Sequence, residues 1–397
     1  MVNFALTEEQ VEFQKWLHGF AETEIRPVAS HYDETEEFPW EVIKKAAEIG
    51  LYGFDIYAQG GTDESGLMMP ILAEEIAWGC AGIGLAILGT GLPLAAVASS
   101  GTPEQLQTWV PLMFGTAQDP KLGAYAVTEP GAGSDVSKLR STAKRERDGW
   151  LLNGQKVFIT NGGIADVHIV VATVDPDLGH RGQASFIIGP GTPGLKQGKK
   201  EKKLGIRASH TAEVLLEDCW IPAENLLGGD EKLQAKLERA RSGKTTGKSG
   251  ALATFEATRP LVGAQAVGIA RAAWEFARDY AKDRSTFGRP IIEHQGVAFK
   301  LADMAMETDA ARLLVWRAAW MARNAQPFSK AEGSMSKLKA GEVAVKVTEE
   351  AIQCLGGYGY IKDFPVEKWF RDSKIYCLFE GTSEIQRLVI SRALGSM

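Results

Sequence analysis

The spacing of apolar residues changes twice along the chain, and this constrains the fold more than any other feature of the sequence. Over residues 38–113 apolar side chains recur every three to four positions, which predicts helices. Over residues 122–222 short β-rich runs alternate with turn signals, and helical spacing returns over residues 258–284 and beyond. The sequence therefore predicts an α+β fold: an N-terminal helical domain, a small central antiparallel β domain and a C-terminal helical bundle.

Local signals refine this outline. Thr7 and Gln10 form a capping box ahead of the first amphipathic helix, and Gly356-Gly357 ends the helix that begins near Ser334. In the β region, Asn153-Gly154 reads as a turn that separates two strands. The predicted domains are residues 1–121, residues 122–229 and residues 230–397.

Charge and cysteine content exclude several classes of function. The chain has 44 Lys and Arg against 50 Asp and Glu, a net charge of -6, whereas a nucleic-acid binder normally presents a basic surface. The four cysteines contain no C-x-x-C pair, so neither a disulfide framework nor a thiolate zinc site is indicated. The histidines show no clustered spacing and are interpreted as surface or core-edge residues. We predict no metal and no nucleic-acid partner.

One stretch, residues 76–98, has 23 residues without a charge, enough to cross a bilayer. The break at Gly89-Thr-Gly-Leu-Pro93 divides it into two short apolar helices, which favours a buried helix pair over membrane insertion. The N-terminal residues are acidic and resemble neither a secretory signal nor a transit peptide. The predicted location is cytoplasmic, or the mitochondrial matrix if a transit peptide has been removed.

Two glycine-rich motifs resemble nucleotide-binding loops without meeting their requirements. Residues 189–194 match G-x-G-x-x-G, but two prolines remove amide donors and no helix pattern follows. Gly243-Lys-Thr and Gly247-Lys-Ser lack the glycine that a phosphate-binding loop needs five positions before each of these glycines. The first motif is interpreted as a turn, and the second as no nucleotide site.

Four separated segments need a joint explanation, and the fourth of them has two parts. Taken alone, each is a glycine-rich turn, a charged helix end or a helix stop. Together, in this order and in this helix–β–helix layout, they resemble the acyl-CoA dehydrogenase family over essentially the whole chain, and its straight-chain and short branched-chain members most closely. The segments are YAVTEPGAGSD at 125–135, GQKVFITNGG at 154–163, RSTFGRPIIEHQ at 284–295, QCLGGYG at 353–359 and IYCLFEGTSEIQR at 375–387.

The resemblance implies FAD as cofactor. Hydroxyl and amide groups of a Tyr-x-x-Thr and a Phe-x-Thr sequence on adjacent strands suit the polar edge of a flavin, and a helix beginning at Thr382-Ser383 suits a pyrophosphate. The resemblance implies that residues of two subunits contact each FAD, and that the protein is a homotetramer built as a dimer of dimers. The FAD-binding residues carried over are Tyr125, Thr128, Ser134, Phe158, Thr160, Arg284, Phe287, Gln295, Gln353, Gly357, Thr382 and Glu384.

Glu380 is the residue to which the resemblance assigns the chemistry. It would remove the α proton of an acyl-CoA while the β hydrogen leaves as hydride to flavin N5, giving a trans-2-enoyl-CoA for fatty-acid β-oxidation. Apolar neighbours would raise its pKa and improve it as a base. The alternative is an acid that only stabilises a helix N-terminus. Electrons would pass to an electron-transfer flavoprotein, and the predicted substrate contacts are Ser134, Glu256, Arg259 and Gly381.

Three positions depart from the family pattern. Residues 230–249 form an insert with six Lys or Arg against three Asp or Glu. A solvated flexible loop is the favoured interpretation, with contact to CoA phosphates or to a neighbouring subunit as alternatives. Phe158 stands where many relatives have Trp, and Glu384 stands where some have Gln.

Two other functions stay open at this point. One is an acyl-CoA oxidase-like flavoenzyme, in which oxygen reaches the reduced flavin and peroxide forms under air. The other is a non-catalytic flavoprotein on the same scaffold, such as the DNA-binding members, against which the net charge of -6 and the retained Glu380 both speak.

Overall fold

A computed structural model describes residues 5–243 and 250–395 of the chain, without the side chains of residues 250–257. The N-terminal part is helical, as predicted, and its first helix has the expected capping box: Thr7 Oγ1 accepts from the Gln10 amide at 3.3 Å and the Gln10 side chain accepts from the Thr7 amide at 3.0 Å. Its helices are α1 (Glu8–Phe20), α2 (Ala29–Thr35), α3 (Trp40–Glu48), α4 (Phe54–Thr62), α5 (Met68–Gly79), α6 (Ala81–Leu88), α7 (Gly91–Ser100) and α8 (Pro103–Phe114).

The uncharged stretch noted in the sequence covers the end of α5, all of α6 and most of α7. By length and composition, Ala81–Ser100 is apolar enough to cross a membrane, but most of it is buried inside the fold. The stretch is divided after Leu88, where the sequence predicted a break, and both helices contribute to the main core. It is therefore a buried helix pair in this structure.

The middle of the chain forms a sheet with strand order β1-β4-β2-β3-β7-β6, in which β5 also pairs with β4. Most pairs are antiparallel, as predicted, but β1 and β2 both run parallel to β4, with Gly123 opposite Val167 and Thr142 opposite Thr173. The strands are β1 (Gly123–Ala126), β2 (Thr142–Glu146), β3 (Gly149–Thr160), β4 (Val167–Thr173), β5 (Gln183–Ile188), β6 (Leu195–Lys200) and β7 (Thr211–Pro222).

The predicted turn at Asn153-Gly154 is wrong, because β3 continues through it. An irregularity in the β3–β7 register between Leu152 and Gly154 accommodates these residues without reversing the chain. Gly154 has φ 151°, and a Cβ there would lie 2.2 Å from Ser141 Oγ, so the glycine serves a close approach rather than a hairpin.

The flexible-loop interpretation of the basic insert is also wrong for its described part. Residues Gly229–Arg241 form helix α9, whose Leu233 and Leu237 are buried in the apolar core of the β domain. The sequence signal for a helix was weak here, because few apolar residues recur at helical spacing and charged residues surround them. Residues 244–249 lie outside the described part of the chain.

The described basic side chains of α9 have partners within the protein. Lys232 Nζ donates to the Ser100 carbonyl at 2.9 Å, Lys236 Nζ donates to the Gln183 carbonyl, and Arg241 pairs with Asp175 at 2.8 Å. These contacts hold α9 against the β domain and the end of α7, so three of its basic side chains are accounted for by contacts with other parts of the chain.

The remaining chain is a helical bundle. Helix α10 packs against α5 and against two further long helices, and Gly268 permits this: a Cβ there would lie 2.2 Å from the Glu74 carbonyl oxygen. Gly356, with φ 62°, ends the predicted helix at its expected position. The elements are α10 (Gly250–Asp283), β8 (Ser285–Thr286), β9 (Arg289–Pro290), α11 (Gln295–Arg323), α12 (Glu332–Leu355), α13 (Val366–Ser373) and α14 (Ser383–Gly395).

Candidate active site

A cavity of about 900 Å³ lies where the N-terminal helices, the β domain and the C-terminal bundle meet. Residues from α6 and α7 line one part of it, and Thr258 and Arg259 of α10 line another. The predicted residues that line this one cavity come from segments far apart in sequence. They are Tyr125, Thr128, Ser134, Phe158, Thr160, Arg259, Glu380, Gly381 and Thr382.

The β-domain wall of this cavity is built from the segments after β1 and at the end of β3. These strands are not neighbours in the ladder order, but the Val157 amide donates to the Thr128 carbonyl at 2.9 Å and brings the segments side by side. Phe158 is 67% exposed and has φ 60°. A large apolar ring held open to a cavity in a left-handed backbone conformation is typical of a binding wall rather than of a core.

A buried ion pair supports this wall on the side that faces the protein interior. Lys156 Nζ lies 2.7 Å from Glu129 Oε1 and 3.0 Å from the Val127 carbonyl oxygen, and both side chains are buried. Burial lowers the pKa of Lys156 to about 8, although Glu129 opposes that shift. Glu129 also accepts hydrogen bonds from the amides of Arg140 and Ser141, at 2.6 and 2.9 Å. The turn that carries Ser134 is thus tied at both ends.

The donor set on this wall fits a flavin. Thr128, Ser134 and Thr160 contribute hydroxyl groups, and Phe158 contributes an exposed ring. A Cβ added at Gly131 or at Gly133 would meet nothing within 4 Å, so the backbone of this turn is open to a ligand. These residues can hold a planar aromatic group with a polar edge.

Glu380 projects from a left-handed turn into the same cavity. Its φ is 51° and that of Gly381 is 93°, an unusual conformation for a residue with a side chain. The Thr258 hydroxyl donates to Glu380 Oε2 at 2.7 Å. Burial raises the pKa of the carboxyl above its ordinary value, while the hydrogen bond from Thr258 and the charges of Lys337 and Arg259 act in the opposite direction.

The alternative role for Glu380, an acid that stabilises a helix N-terminus, does not match its position. Helix α14 begins at Ser383, and the Ile385 amide donates to Thr382 Oγ1 at 3.3 Å, so Thr382 is the cap. The acid in the first turn is Glu384, which is exposed and does not line the cavity. Glu380 lies before the helix and faces the cavity.

Arg259 is buried beside the carboxylate. Its Nη1 donates to Ser334 Oγ at 2.9 Å, while its Nε is buried without a hydrogen-bond partner. Burial lowers the pKa of this guanidinium and the charge of Glu380 opposes that shift. The side chain of Glu256 lies outside the described part of the structure.

Four other predicted FAD residues line a second cavity of about 760 Å³, namely Arg284, Phe287, Gln353 and Gly357. Phe287 stands at the tip of the β8–β9 hairpin and is 97% exposed. Gln295 begins α11 nearby, is exposed and does not line this cavity. Most of the predicted cofactor residues of one chain therefore divide between two separate cavities, while Gln295 and Glu384 line neither.

Sequence reasoning gave no role to Thr258, Lys337 or Gln386, which all contact the Glu380 turn. Lys337 Nζ and Gln386 Nε2 donate to the Gly381 carbonyl at 2.7 and 2.9 Å. A signal for Lys337 was available: it shares a helical face with Ser334 and Gly341, and small residues at this spacing indicate a buried face.

Known families and proteins match the chain along its whole length. Family models match for the acyl-CoA dehydrogenase N-terminal domain at residues 7–116, the middle domain at 124–219 and the C-terminal domain at 245–395. An acyl-CoA dehydrogenase of Bacillus subtilis is 42% identical over 98% of both chains. A short-chain specific acyl-CoA dehydrogenase of Clostridium acetobutylicum is 40% identical over 98% of this chain and 99% of its own.

Solved structures resemble the fold equally closely. The butyryl-CoA dehydrogenase of Megasphaera elsdenii has a TM-score of 0.88 at 37% identity, over 99% of this chain and 100% of its own. A chain from a structure titled as the electron transferring flavoprotein of Acidaminococcus fermentans has a TM-score of 0.89 at 36% identity, over 99% of both chains. The prolyl acyl carrier protein oxidase AnaB has a TM-score of 0.87 at 32% identity, over 98% of this chain and 100% of its own.

Proposed function

Since the chain belongs to the acyl-CoA dehydrogenase family, we propose that it oxidises a short-chain acyl-CoA to the trans-2-enoyl-CoA with Glu380 as the base. The protein is a flavoprotein oxidoreductase that uses FAD. The observation that carries the assignment of the base is the position of the Glu380 carboxylate, in the same cavity as the flavin-type wall and 2.7 Å from the Thr258 hydroxyl.

The residues of the cavity perform distinct steps. Glu380 accepts the proton from the carbon next to the thioester carbonyl, and its raised pKa makes it a stronger base than an exposed carboxylate. Thr258 orients the carboxylate through its hydrogen bond. Bound FAD supplies the acceptor for the β hydrogen, which leaves with its electron pair. The apolar side chains of the cavity exclude water from the acyl group.

A short, straight acyl chain is the proposed substrate class. The similar proteins of Clostridium acetobutylicum and Megasphaera elsdenii are named for short-chain acyl-CoA and butyryl-CoA. Most of the cavity surface is apolar and includes Leu85, Leu92 and Val262, which suits an alkyl group.

The location of the protein, in the cytoplasm or in the mitochondrial matrix, stays a prediction.

Electron-transfer flavoprotein is the proposed partner that reoxidises the cofactor, supported by the likeness to the chain from the Acidaminococcus fermentans structure. Oxygen is the second candidate acceptor, because AnaB, an oxidase by its name, also shares the fold. Turnover of butyryl-CoA is to be measured with electron-transfer flavoprotein without oxygen, and separately under air with peroxide detection. Dependence on the flavoprotein supports the dehydrogenase, and stoichiometric peroxide without it supports the oxidase.

The division of the predicted FAD residues between two cavities supports assembly into an oligomer. Phe287 is exposed at the tip of its hairpin and lines this cavity together with Arg284 and Gln353, so the cavity offers an aromatic ring and a cation to a bound group. We propose that it receives FAD bound chiefly by a partner subunit. A homotetramer built as a dimer of dimers is consistent with this arrangement.

Replacing Phe287 with serine should lower the FAD content of the purified protein, because an apolar ring that covers the cofactor is lost. The flavin-to-protein absorbance ratio measures this effect. Tyr360 is a matched control, since it is also strongly exposed, at 85%, and does not line either cavity. Equal FAD content in Phe287→Ser and Tyr360→Ser would contradict a role for Phe287 in binding FAD.

Activity should depend on pH through Glu380. The base works when ionised, so kcat/KM is high above its pKa and is lost as pH falls through it; because burial raises that pKa, the loss begins at a higher pH than for an ordinary carboxyl. Thr258→Val removes the hydrogen bond that lowers the pKa, so the acidic limb of the profile moves to higher pH. Thr258→Ser keeps the hydroxyl and should keep the limb in place. Identical profiles for the two variants would exclude this role of Thr258.

A further inference from the structure

Lys337 is a buried cation that the mechanism above leaves without a role. It lies near the start of α12, and its side chain is only 1% exposed. A buried ammonium costs stability unless it is paired or hydrogen-bonded, and a residue of this length can usually reach solvent. Its Nζ instead donates to the Gly381 carbonyl at 2.7 Å, next to Glu380.

The backbone that Lys337 holds is the turn that aims Glu380. Glu380 and Gly381 both have positive φ, and a left-handed Glu persists only where surrounding contacts stabilise it. Gln386 Nε2 donates to the carbonyls of Glu380 and Gly381 at 3.1 and 2.9 Å, and Lys337 supplies a second donor to the Gly381 carbonyl. The turn is therefore held by an amide from α14 and an ammonium from α12.

Helix α12 is shaped to bring this ammonium to the turn. Gly341 follows Lys337 by one turn of the helix, and a Cβ there would lie 2.6 Å from the Tyr376 carbonyl oxygen, so the glycine lets the chain before Glu380 pack directly on α12. Ser334, one turn earlier on the same face, accepts from Arg259 Nη1 at 2.9 Å. One face of α12 thus contacts both the turn and the neighbouring cation.

The charges around Lys337 come from four elements. Glu380 in the turn, Cys377 just before it and Glu384 of α14 favour its protonated form, while Arg259 of α10 disfavours it. Burial is the largest effect and lowers the pKa of Lys337 to about 8, so the ammonium is charged at neutral pH and loses its proton as pH rises past that value. The interaction is mutual: the charge of Lys337 lowers the pKa of Glu380 and so favours its ionised form.

We propose that Lys337 is a positioning residue for the base: its ammonium fixes the Glu380–Gly381 turn through the Gly381 carbonyl and keeps the Glu380 carboxylate ionised through its charge. This inference rests on the proposed role of Glu380. Lys337 does not face the reacting carbon in this account; it acts through the carboxylate that does.

The test compares Lys337→Met, which removes the donor and the charge, with Lys337→Gln, which keeps a donor and removes the charge. At pH 7, kcat of Lys337→Met should fall roughly tenfold with KM changed less than about twofold, because the substrate contacts stay while the base is misplaced. The acidic limb of kcat/KM should move to higher pH in both variants, and Lys337→Gln should recover part of kcat. Above about pH 8 the wild-type lysine loses its charge but its neutral amine still donates to the Gly381 carbonyl, so the difference between wild type and Lys337→Met should narrow to the part that comes from the lost donor.

Lys339→Met is the matched control, since Lys339 lies on the same helix but is partly exposed and pairs with Glu307. It should have the wild-type profile. A Lys337→Met profile like that of Lys339→Met would overturn the proposal, and so would a loss of activity that is equal at every pH. Failure of this inference is distinct from failure of the proposed function, which is tested by Glu380→Gln.

Discussion

Glu380→Gln is expected to lower kcat by roughly 10³-fold or more, because the variant keeps the shape of the side chain and loses the only proposed proton acceptor for the α carbon. FAD and acyl-CoA binding should persist, since the Gly381 carbonyl still accepts from Lys337 and Gln386. The measurement is single-turnover loss of the oxidised flavin absorbance after mixing with butyryl-CoA without oxygen. Binding is checked by the perturbation of the flavin spectrum by an unreactive thioether analogue.

Glu342→Gln is the control for this prediction. Glu342 is an exposed carboxylate on α12 that pairs with Arg387, so the same chemical change there should leave turnover at the wild-type level. Wild-type turnover in Glu380→Gln would remove Glu380 from its role. Loss of flavin in Glu380→Gln would instead assign the carboxylate to cofactor binding, which also contradicts the prediction.

Lys156→Met should have the largest effect on stability among the variants considered. It leaves the Glu129 carboxylate buried without its cation, and breaking such a pair costs about 3–5 kcal/mol. The Val127 carbonyl loses a donor at the same time, so the turn that carries Ser134 loosens and FAD content should fall. Urea unfolding followed by far-UV circular dichroism and the flavin-to-protein ratio measure the two effects.

Lys196→Met separates the effect of burial from that of charge. Lys196 pairs with Glu217 at 2.7 Å in the same domain, but both side chains are about 60% exposed, so the loss should be about 0–1 kcal/mol. Equal unfolding midpoints for Lys156→Met and Lys196→Met would contradict the assignment of Lys156 as a buried support of the flavin wall.

Much of the fold was predictable because the signals are local. A capping box at Thr7 and a glycine at position 356 mark helix ends through contacts within a few residues, and the structure has both where the sequence predicts them. The parallel β1–β4 pair and the continuity of β3 through Gly154 were not predictable in this way, because they depend on strands and side chains distant in sequence. Helix α9 was missed because only two buried leucines, Leu233 and Leu237, distinguish it from a charged loop.

The candidate site was also predictable from the sequence only where the signal is local. The residues that resemble the family motif, such as Phe158 and Glu380, were found from the sequence, and the structure brings them to one cavity. Lys337 was missed, because the small residues on its helical face are a weak signal for a lysine, whose burial is decided by the packing of α12 against the turn. His168 and His210 were expected at the surface or core edge, and that prediction is wrong: both are buried, with His168 Nε2 accepting from the Gly163 amide at 3.1 Å and His210 Nε2 hydrogen-bonded to the Gly162 carbonyl at 3.0 Å.

Anaerobic titration of the FAD-loaded protein with acyl-CoAs of increasing length tests the central claim most directly. The account predicts that butyryl-CoA bleaches the oxidised flavin band, that long-chain thioesters do so less completely, and that free butyrate has no effect. Flavin that stays oxidised with every thioester, in protein that retains its FAD, would contradict the claim that this chain is an acyl-CoA dehydrogenase acting through Glu380.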